Sequence, residues 1–154
     1  LLAGAFLIRR KNQCKYGGII MFLKELSSEN KERFLKLCVH ACMANGVIAQ
    51  EEKNMVDAYC REMNMKEHIP DVGEDLSELL RDIADNTTPA EKKIFVMEIL
   101  ALLKSDGEYD CKEKDFAGNF VHSLSLSDET LKKLNDLLDK YTLISKEIYE
   151  YIIK

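Results

Sequence analysis

The sequence predicts an all-α fold: a single domain of about six to seven helices built from two related helix-turn-helix halves. Apolar residues recur at helical spacing through most of the chain, and no stretch alternates apolar and polar residues with a period of two. Only 2 prolines and 7 glycines occur among 154 residues, so long uninterrupted elements are expected. A chain of this length is sufficient for one domain with a buried core.

Two of the predicted helices are apolar on nearly all sides. The first begins near Ser27 and Ser28, which are favourable N-cap residues. The second begins near Thr88 and Pro89, where proline suits the first helical turn, and runs through IFVMEILALL. Because a helix that is apolar all round has to be buried, these two are expected to form the centre of the domain.

The remaining predicted helices are amphipathic. They are expected at about 50–63, 74–85 and 111–123, from Ser127 onward, and at about 143–153. The apolar side chains expected to face inward are Met55, Val56, Tyr59, Met63, Leu76, Leu79, Leu80, Ile83, Phe116, Phe120, Val121, Leu131, Leu134, Leu137 and Leu138, with Ile144, Ile148, Tyr151 and Ile152 in the last helix. This last stripe is expected to pack on its own domain, because isolated helices this short are marginal, and a dimer through it is the alternative.

A repeat runs through the chain at an offset of 61 residues. FLKLCVHACMANGVIAQEEKNMVDAYC, which starts at Phe34, aligns with FVMEILALLKSDGEYDCKEKDFAGNFV, which starts at Phe95. Gly46 aligns with Gly107, and most other core positions match apolar residue for apolar residue. Each copy is therefore predicted to fold as a helix, a tight glycine turn and a second helix.

The first twenty residues are expected to stand apart from the domain. In LLAGAFLIRRK the apolar run precedes the basic residues, as at the cytoplasmic end of a membrane helix. Gly17-Gly18, two isoleucines and then Met21 also have the spacing of a translated ribosome-binding sequence before a start codon. We predict that 1–20 is a translated leader or the tail of a truncated membrane anchor, and that 21–154 is the all-α domain.

Composition excludes some classes of function. A net charge of −5 argues against a nucleic acid partner, because phosphate binding needs a basic face. Five scattered cysteines do not form a disulfide framework, so a cytoplasmic location is expected. The sequence contains no phosphate loop, no HExxH and no nucleophile elbow, and its 3 histidines are expected at the surface. No catalytic residue is predicted, and the chain is not expected to be an enzyme.

The need to end one helix and cap the next explains several residues of the second glycine turn. Gly107 is expected to take the left-handed conformation that ends helices, Asp110 to cap the next helix, and Glu113 to complete a capping box. Glu52 holds the matching place in the first copy.

Two acidic residues of the same turn are not explained by capping. Asp106 follows a helix C-terminus, which already carries partial negative charge, and Glu108 caps nothing evident. The first copy has neutral Asn45 and Val47 at the matching places. A bound divalent cation would relieve the repulsion between the clustered acids and needs oxygen ligands of this kind, which favours Ca²⁺ over Zn²⁺.

The spacing from Asp106 to Glu113 matches the second half of an EF-hand loop, but Leu102 and Lys104 stand where its first ligands belong. A complete EF-hand is therefore rejected, and a weak site is expected.

The paired segments ANGVIAQEE (Ala44 to Glu52) and SDGEYDCKE (Ser105 to Glu113), each after a buried helix, resemble the TerB-like family, over about 27–140. That family is named for bacterial tellurite resistance, and its domain also occurs in membrane-tethered co-chaperones. The resemblance implies two related all-α halves and an acidic, metal-binding cluster at the two turns. Carried over, the metal-site residues are Asp106, Glu108, Asp110, Glu113, Asn45, Glu51 and Glu52.

Asn45 and Val47 depart from the acidic residues usual in the family, and a shared fold does not transfer tellurite resistance itself.

Two functions are therefore expected. The first is a non-catalytic cytoplasmic TerB-like domain that binds a divalent cation weakly through the acidic Asp-Gly turn, in a metal, tellurite or other stress response. The alternative is a metal-free protein-interaction module, part of a membrane-tethered protein similar to a co-chaperone. An unidentified protein partner is expected, a membrane only if 1–20 is a true anchor, and the chain is expected to be a monomer or a weak dimer.

Overall fold

A computed structural model describes residues 22–42, 50–104 and 109–153, without the side chains of 41, 42, 51, 52 and 102. These residues form six α-helices after a short 3₁₀ turn, Leu23–Glu25, and they contain no β-strand, which confirms the all-α prediction. Residues 1–20, predicted to be a leader or anchor tail, lie outside the described part. The helices are α1 Ser28–Cys42, α2 Gln50–Glu62, α3 Leu76–Asn86, α4 Pro89–Leu103, α5 Cys111–Ser123 and α6 Asp128–Ile153.

The helices follow the sequence repeat. α4 begins and ends at the repeat equivalents of the first and last residues of α1, and α5 does the same relative to α2. In the first half α1 packs against α2 and α3, and in the second half α4 packs against α5 and α6. Each half is thus a group of three helices with an apolar helix at its hub.

The two hub helices meet through aromatic side chains. Phe34 and Phe95, which are repeat equivalents, lie edge to face with ring centroids 5.6 Å apart. Tyr59 of α2 contacts Phe34 in the same way at 5.1 Å. All three rings are almost completely buried, so the prediction of a buried central pair is confirmed.

Most of the side chains predicted to face inward do so. Those of α2 are all buried, as are Leu79 and Ile83 in α3, and Phe120 and Val121 in α5. The prediction is wrong for Leu76, which lies in the first turn of α3 and is 45% exposed, and for Leu137 of α6, which is 42% exposed.

α6 differs from its prediction in two ways. The two helices expected from Ser127 onward and at about 143–153 are one helix of 26 residues. No glycine or proline interrupts 128–153, so nothing in the chain stops the helix between the two apolar stripes. At a rise of 1.5 Å per residue α6 is about 39 Å long, and the hub helix α4, with 15 residues, about 22 Å.

The expectation that the terminal stripe packs on its own domain is also wrong. Leu138 is the last fully buried residue of α6, at 2% exposure. Beyond it Ile144 is 55% exposed, Ile148 54%, Tyr151 90% and Ile152 71%. The periodicity of these residues correctly predicts a helix with an apolar face, but the core does not extend far enough to cover that face.

The amino ends of the two hub helices are joined by one carboxylate. Ser27 Oγ accepts the Asn30 N–H of α1 at 3.3 Å, and Thr88 Oγ1 accepts the Glu91 N–H of α4 at 3.2 Å, so both predicted N-caps form. Glu91 Oε2 accepts the Thr88 N–H at 3.0 Å, and Glu91 Oε1 accepts the Ser27 N–H at 2.9 Å. The Glu91 carboxylate thus accepts the backbone N–H groups of both N-cap residues.

This carboxylate is held in its charged form although it is only 8% exposed. Burial acts to raise its pKa, but hydrogen bonds from the Asn30 side chain and from the Ser27 and Thr88 N–H groups outweigh burial. The pKa of Glu91 is lowered from 4.5 to about 2. Asn30 is the repeat equivalent of Glu91 and is also buried, so equivalent polar residues of the two halves meet at this junction.

Glu91→Gln tests this junction. Because the folded pKa is depressed, ionised Glu91 stabilises the fold above about pH 4.5, and the effect is lost as the pH falls to about 2. We expect the substitution to lower the free energy of unfolding by about 1–3 kcal/mol at pH 7. Urea unfolding from pH 2 to 7 should show the difference between the two proteins shrinking as the pH falls below about 4.5.

Asp136→Asn, at an exposed position of α6, is the control and should change stability little at any pH. A difference for Glu91→Gln that stays constant with pH would contradict the assigned role of the charge.

Candidate functional site

The second glycine turn leads into the capping box that the sequence predicts. Asp110 Oδ1 accepts the Glu113 N–H at 2.9 Å, and Glu113 Oε2 accepts the Asp110 N–H at 3.0 Å. Asp110 is exposed, whereas Glu113 is only 3% exposed. The cap thus brings the two carboxylates together on one turn of backbone, at the amino end of α5.

The other predicted metal-site residues are not placed by the structure. Asn45, Asp106 and Glu108 lie outside the described residues, and for Glu51 and Glu52 in α2 only the backbone is described. Within the described ranges no three or more His, Cys, Asp or Glu side chains come together as a metal site would require. The seven-residue metal set therefore stays a prediction.

Two lysines, Lys104 and Lys114, lie close to the ring of Tyr109. Lys104, at the end of α4, donates to Asn135 Oδ1 at 2.9 Å and forms an ion pair with Asp139. Its Nζ lies 5.2 Å from the ring centroid of Tyr109, and Lys114 Nζ lies 5.6 Å from the same centroid. Lys104 thus places positive charge at the carboxyl end of α4, where it offsets the helix dipole, and ties α4 to α6.

Two exposed histidines, one in a connection between helices and one at the end of α5, contact carboxylates. His68 Nε2 contacts Glu32 at 2.8 Å, and His122 Nε2 contacts Asp128 at 2.7 Å. The Lys66 carbonyl, together with Glu32, raises the pKa of His68 against a smaller opposing effect of burial. The first pair holds the connection between α2 and α3 against α1, and the second joins α5 to the start of α6, so both have a structural explanation.

The largest exposed apolar feature of the described chain lies on α6. We call it the α6 face. It runs along one side of the helix from Leu137 to Ile152, mostly beyond buried Leu138, and all its side chains are between 42% and 90% exposed. Its residues are Leu137, Tyr141, Ile144, Ile148, Tyr151 and Ile152.

The α6 face occupies one side of α6, and three further apolar residues of the helix are exposed outside it: Leu143, Tyr149 and Ile153. Lys146 lies two residues from both Ile144 and Ile148, which places it on the opposite side of the helix. Buried Leu138 marks the side that packs on the bundle. The face is therefore a stripe bordered by polar residues on a projecting helix, which is the form of a surface that binds another helix.

The length of α6 raises the question of whether it could span a membrane. Of the helices that the structure describes, none combines the length and the apolar composition needed to cross a bilayer.

Comparison of the chain with protein-family models, with curated proteins and with solved structures gives no match in any of the three. The TerB-like resemblance stays a prediction.

Residue spacing locates the apolar positions of the α6 face but not their exposure. The signal that could have indicated it is the absence of glycine and proline between Leu138 and Ile144. Without such a helix-breaking residue, α6 is one helix of 26 residues and is longer than the other described helices.

Asp110 offers a direct test of the capping box. Asp110→Ala removes the acceptor for the Glu113 N–H and should lower the free energy of unfolding by about 0.5–2 kcal/mol. Asp110→Asn keeps an N-cap oxygen and should change stability by only a few tenths of a kcal/mol. Chemical denaturation of the three proteins without divalent cations checks this, and equal losses for alanine and asparagine would contradict the capping role.

Proposed function

We propose that this chain is a non-catalytic protein-interaction module and that the α6 face is its binding surface. The observation that supports this proposal is the exposure of six large apolar side chains along one stripe of α6. Single exposed apolar residues are ordinary on protein surfaces, but a continuous apolar patch bordered by polar residues is typical of an interaction site.

The geometry specifies the kind of partner. Residues spaced at three and four positions present a narrow ridge, and a ridge of this shape fits the groove beside a second amphipathic helix. Tyr141 and Tyr151 add large contact areas at low cost in side-chain entropy, while their hydroxyl groups remain able to reach water at the edge of an interface. The partner is therefore expected to present an apolar helical stripe of its own.

Photo-crosslinking tests the binding surface. A benzophenone amino acid placed at Ile148 in the full chain, expressed in cells, should give discrete crosslinked products that mass spectrometry identifies. The matched control is the same amino acid at Lys146, an exposed position on the opposite side of the same helix turn. Products that are absent from both positions, or equal at both, would contradict the proposal.

Divalent-cation binding at the second turn is a second candidate function. The observation in its favour is the capping box, because it fixes the Asp110 and Glu113 carboxylates at the amino end of α5, close in sequence to Asp106 and Glu108. The chemistry of these residues suits Ca²⁺, which takes carboxylate and carbonyl oxygens in irregular geometry.

Thermal unfolding in EDTA and in added Ca²⁺ tests the second candidate. We expect Ca²⁺ to raise the unfolding midpoint of the wild-type chain through preferential binding to the folded state. Asp106→Asn should weaken this rise, and Asp110→Asn should weaken it while keeping the cap. Midpoints that are the same in EDTA and Ca²⁺ for all three proteins would leave the interaction surface as the only candidate.

A further inference from the structure

We propose that the α6 face binds the α6 face of a second copy of this chain, with the two helices antiparallel about a two-fold axis. This inference rests on the proposed function and names its partner. Three features of α6 carry it: the spacing of the face, the placement of two opposite charges beside it, and the short length of helix beyond the bundle.

The spacing of the face is that of a coiled coil. Leu134, which is half-buried at the edge of the bundle, begins a series in which steps of three and four residues alternate, and this is the a and d pattern of a heptad repeat. The series continues through Leu137, Tyr141, Ile144, Ile148 and Tyr151. Past Leu138 no described residue of α6 is fully buried, so core packing does not by itself account for this regularity.

Two charged residues select the antiparallel arrangement. Lys140 and Glu147 are both exposed and both occupy the g position beside the apolar series. When Tyr141 lies opposite the partner's Ile144, antiparallel helices bring Lys140 next to the partner's Glu147. The two-fold axis then makes the same pair a second time, so one contact between opposite charges becomes two.

The parallel arrangement lacks this complementarity. In a parallel pair each g residue faces the e residue of the following heptad in the other helix. Lys140 would then face the partner's Ser145, and Glu147 would face the partner's Ile152, so neither charge gains an opposite one. A parallel pair would also place two bundles side by side at the same end, whereas the antiparallel pair places them at opposite ends.

The short length of α6 beyond the bundle sets the strength of this contact. The overlap from Leu137 to Ile148 covers roughly 18 Å of helix at 1.5 Å per residue. An interface of this size lies at the small end for specific dimers, about 1,200 Å² or less in total. The dimer should therefore form and dissociate with protein concentration.

Sedimentation equilibrium of the full chain over a range of concentrations tests self-association. We expect the mass to rise from 17.7 kDa towards twice that value as the concentration increases. Ile144→Glu should abolish the rise. Because Ile144 is exposed in the monomer, this variant should keep its helix content, which circular dichroism checks.

Charge reversal tests the orientation. Lys140→Glu and Glu147→Lys each replace two attractive contacts with two repulsive ones, and each should weaken the dimer about tenfold. The double variant restores opposite charges at both contacts and should recover the wild-type dissociation constant. An equimolar mixture of the two single variants should form a heterodimer for the same reason.

Several results would overturn the inference. A chain that stays monomeric at every concentration excludes the second copy, and single reversals that leave the dimer unchanged exclude the antiparallel arrangement. If the benzophenone at Ile148 crosslinks only to a different protein, the proposed function stands and this inference fails. If it crosslinks only within its own chain to residues 1–21, that segment is the occupant and both proposals fail.

Discussion

The two apolar hub helices impose the constraint on which the rest of the fold depends. α1 and α4 have to be covered on nearly every side, so each takes two helices as neighbours and the two meet through Phe34 and Phe95. This packing brings their amino ends together, beside the buried side chains of Asn30 and Glu91. Glu91 accepts the N–H groups of both N-cap residues, Ser27 and Thr88, so one ionised side chain joins the two helices.

The repeat explains why the halves correspond and also where they differ. The first two helices of each half have equivalent bounds, but the third helices follow connections of different length. In the second half only a short turn separates α5 from α6. α6 therefore begins close to the end of α5, and its 26 residues continue well past Leu138, its last fully buried residue. The α6 face is thus a consequence of helix length: the core covers the helix as far as Leu138, and the apolar pattern continues beyond it.

Local chemistry made the fold largely predictable. Ser27, Thr88 and Asp110 cap helices where the sequence places them, because a cap depends on neighbours within four residues. Glu91 binds Thr88, three residues away, and Ser27, which is 64 residues away. Sequence pattern indicates only the first of these two contacts, because it depends on neighbouring residues. Exposure of the α6 face was missed for a related reason, since periodicity defines an apolar side of a helix and says nothing about what covers it.

The two candidate functions differ in what the known structure already explains. Asp110 and Glu113 have a complete structural role, because each carboxylate accepts the backbone N–H that the other residue supplies. The side chains of the α6 face from Ile144 onward are more than half exposed, so packing within the described bundle does not explain them in the same way. An exposed apolar stripe that keeps heptad spacing over several turns fits best with contact to another helix, which favours the α6 face as the binding surface.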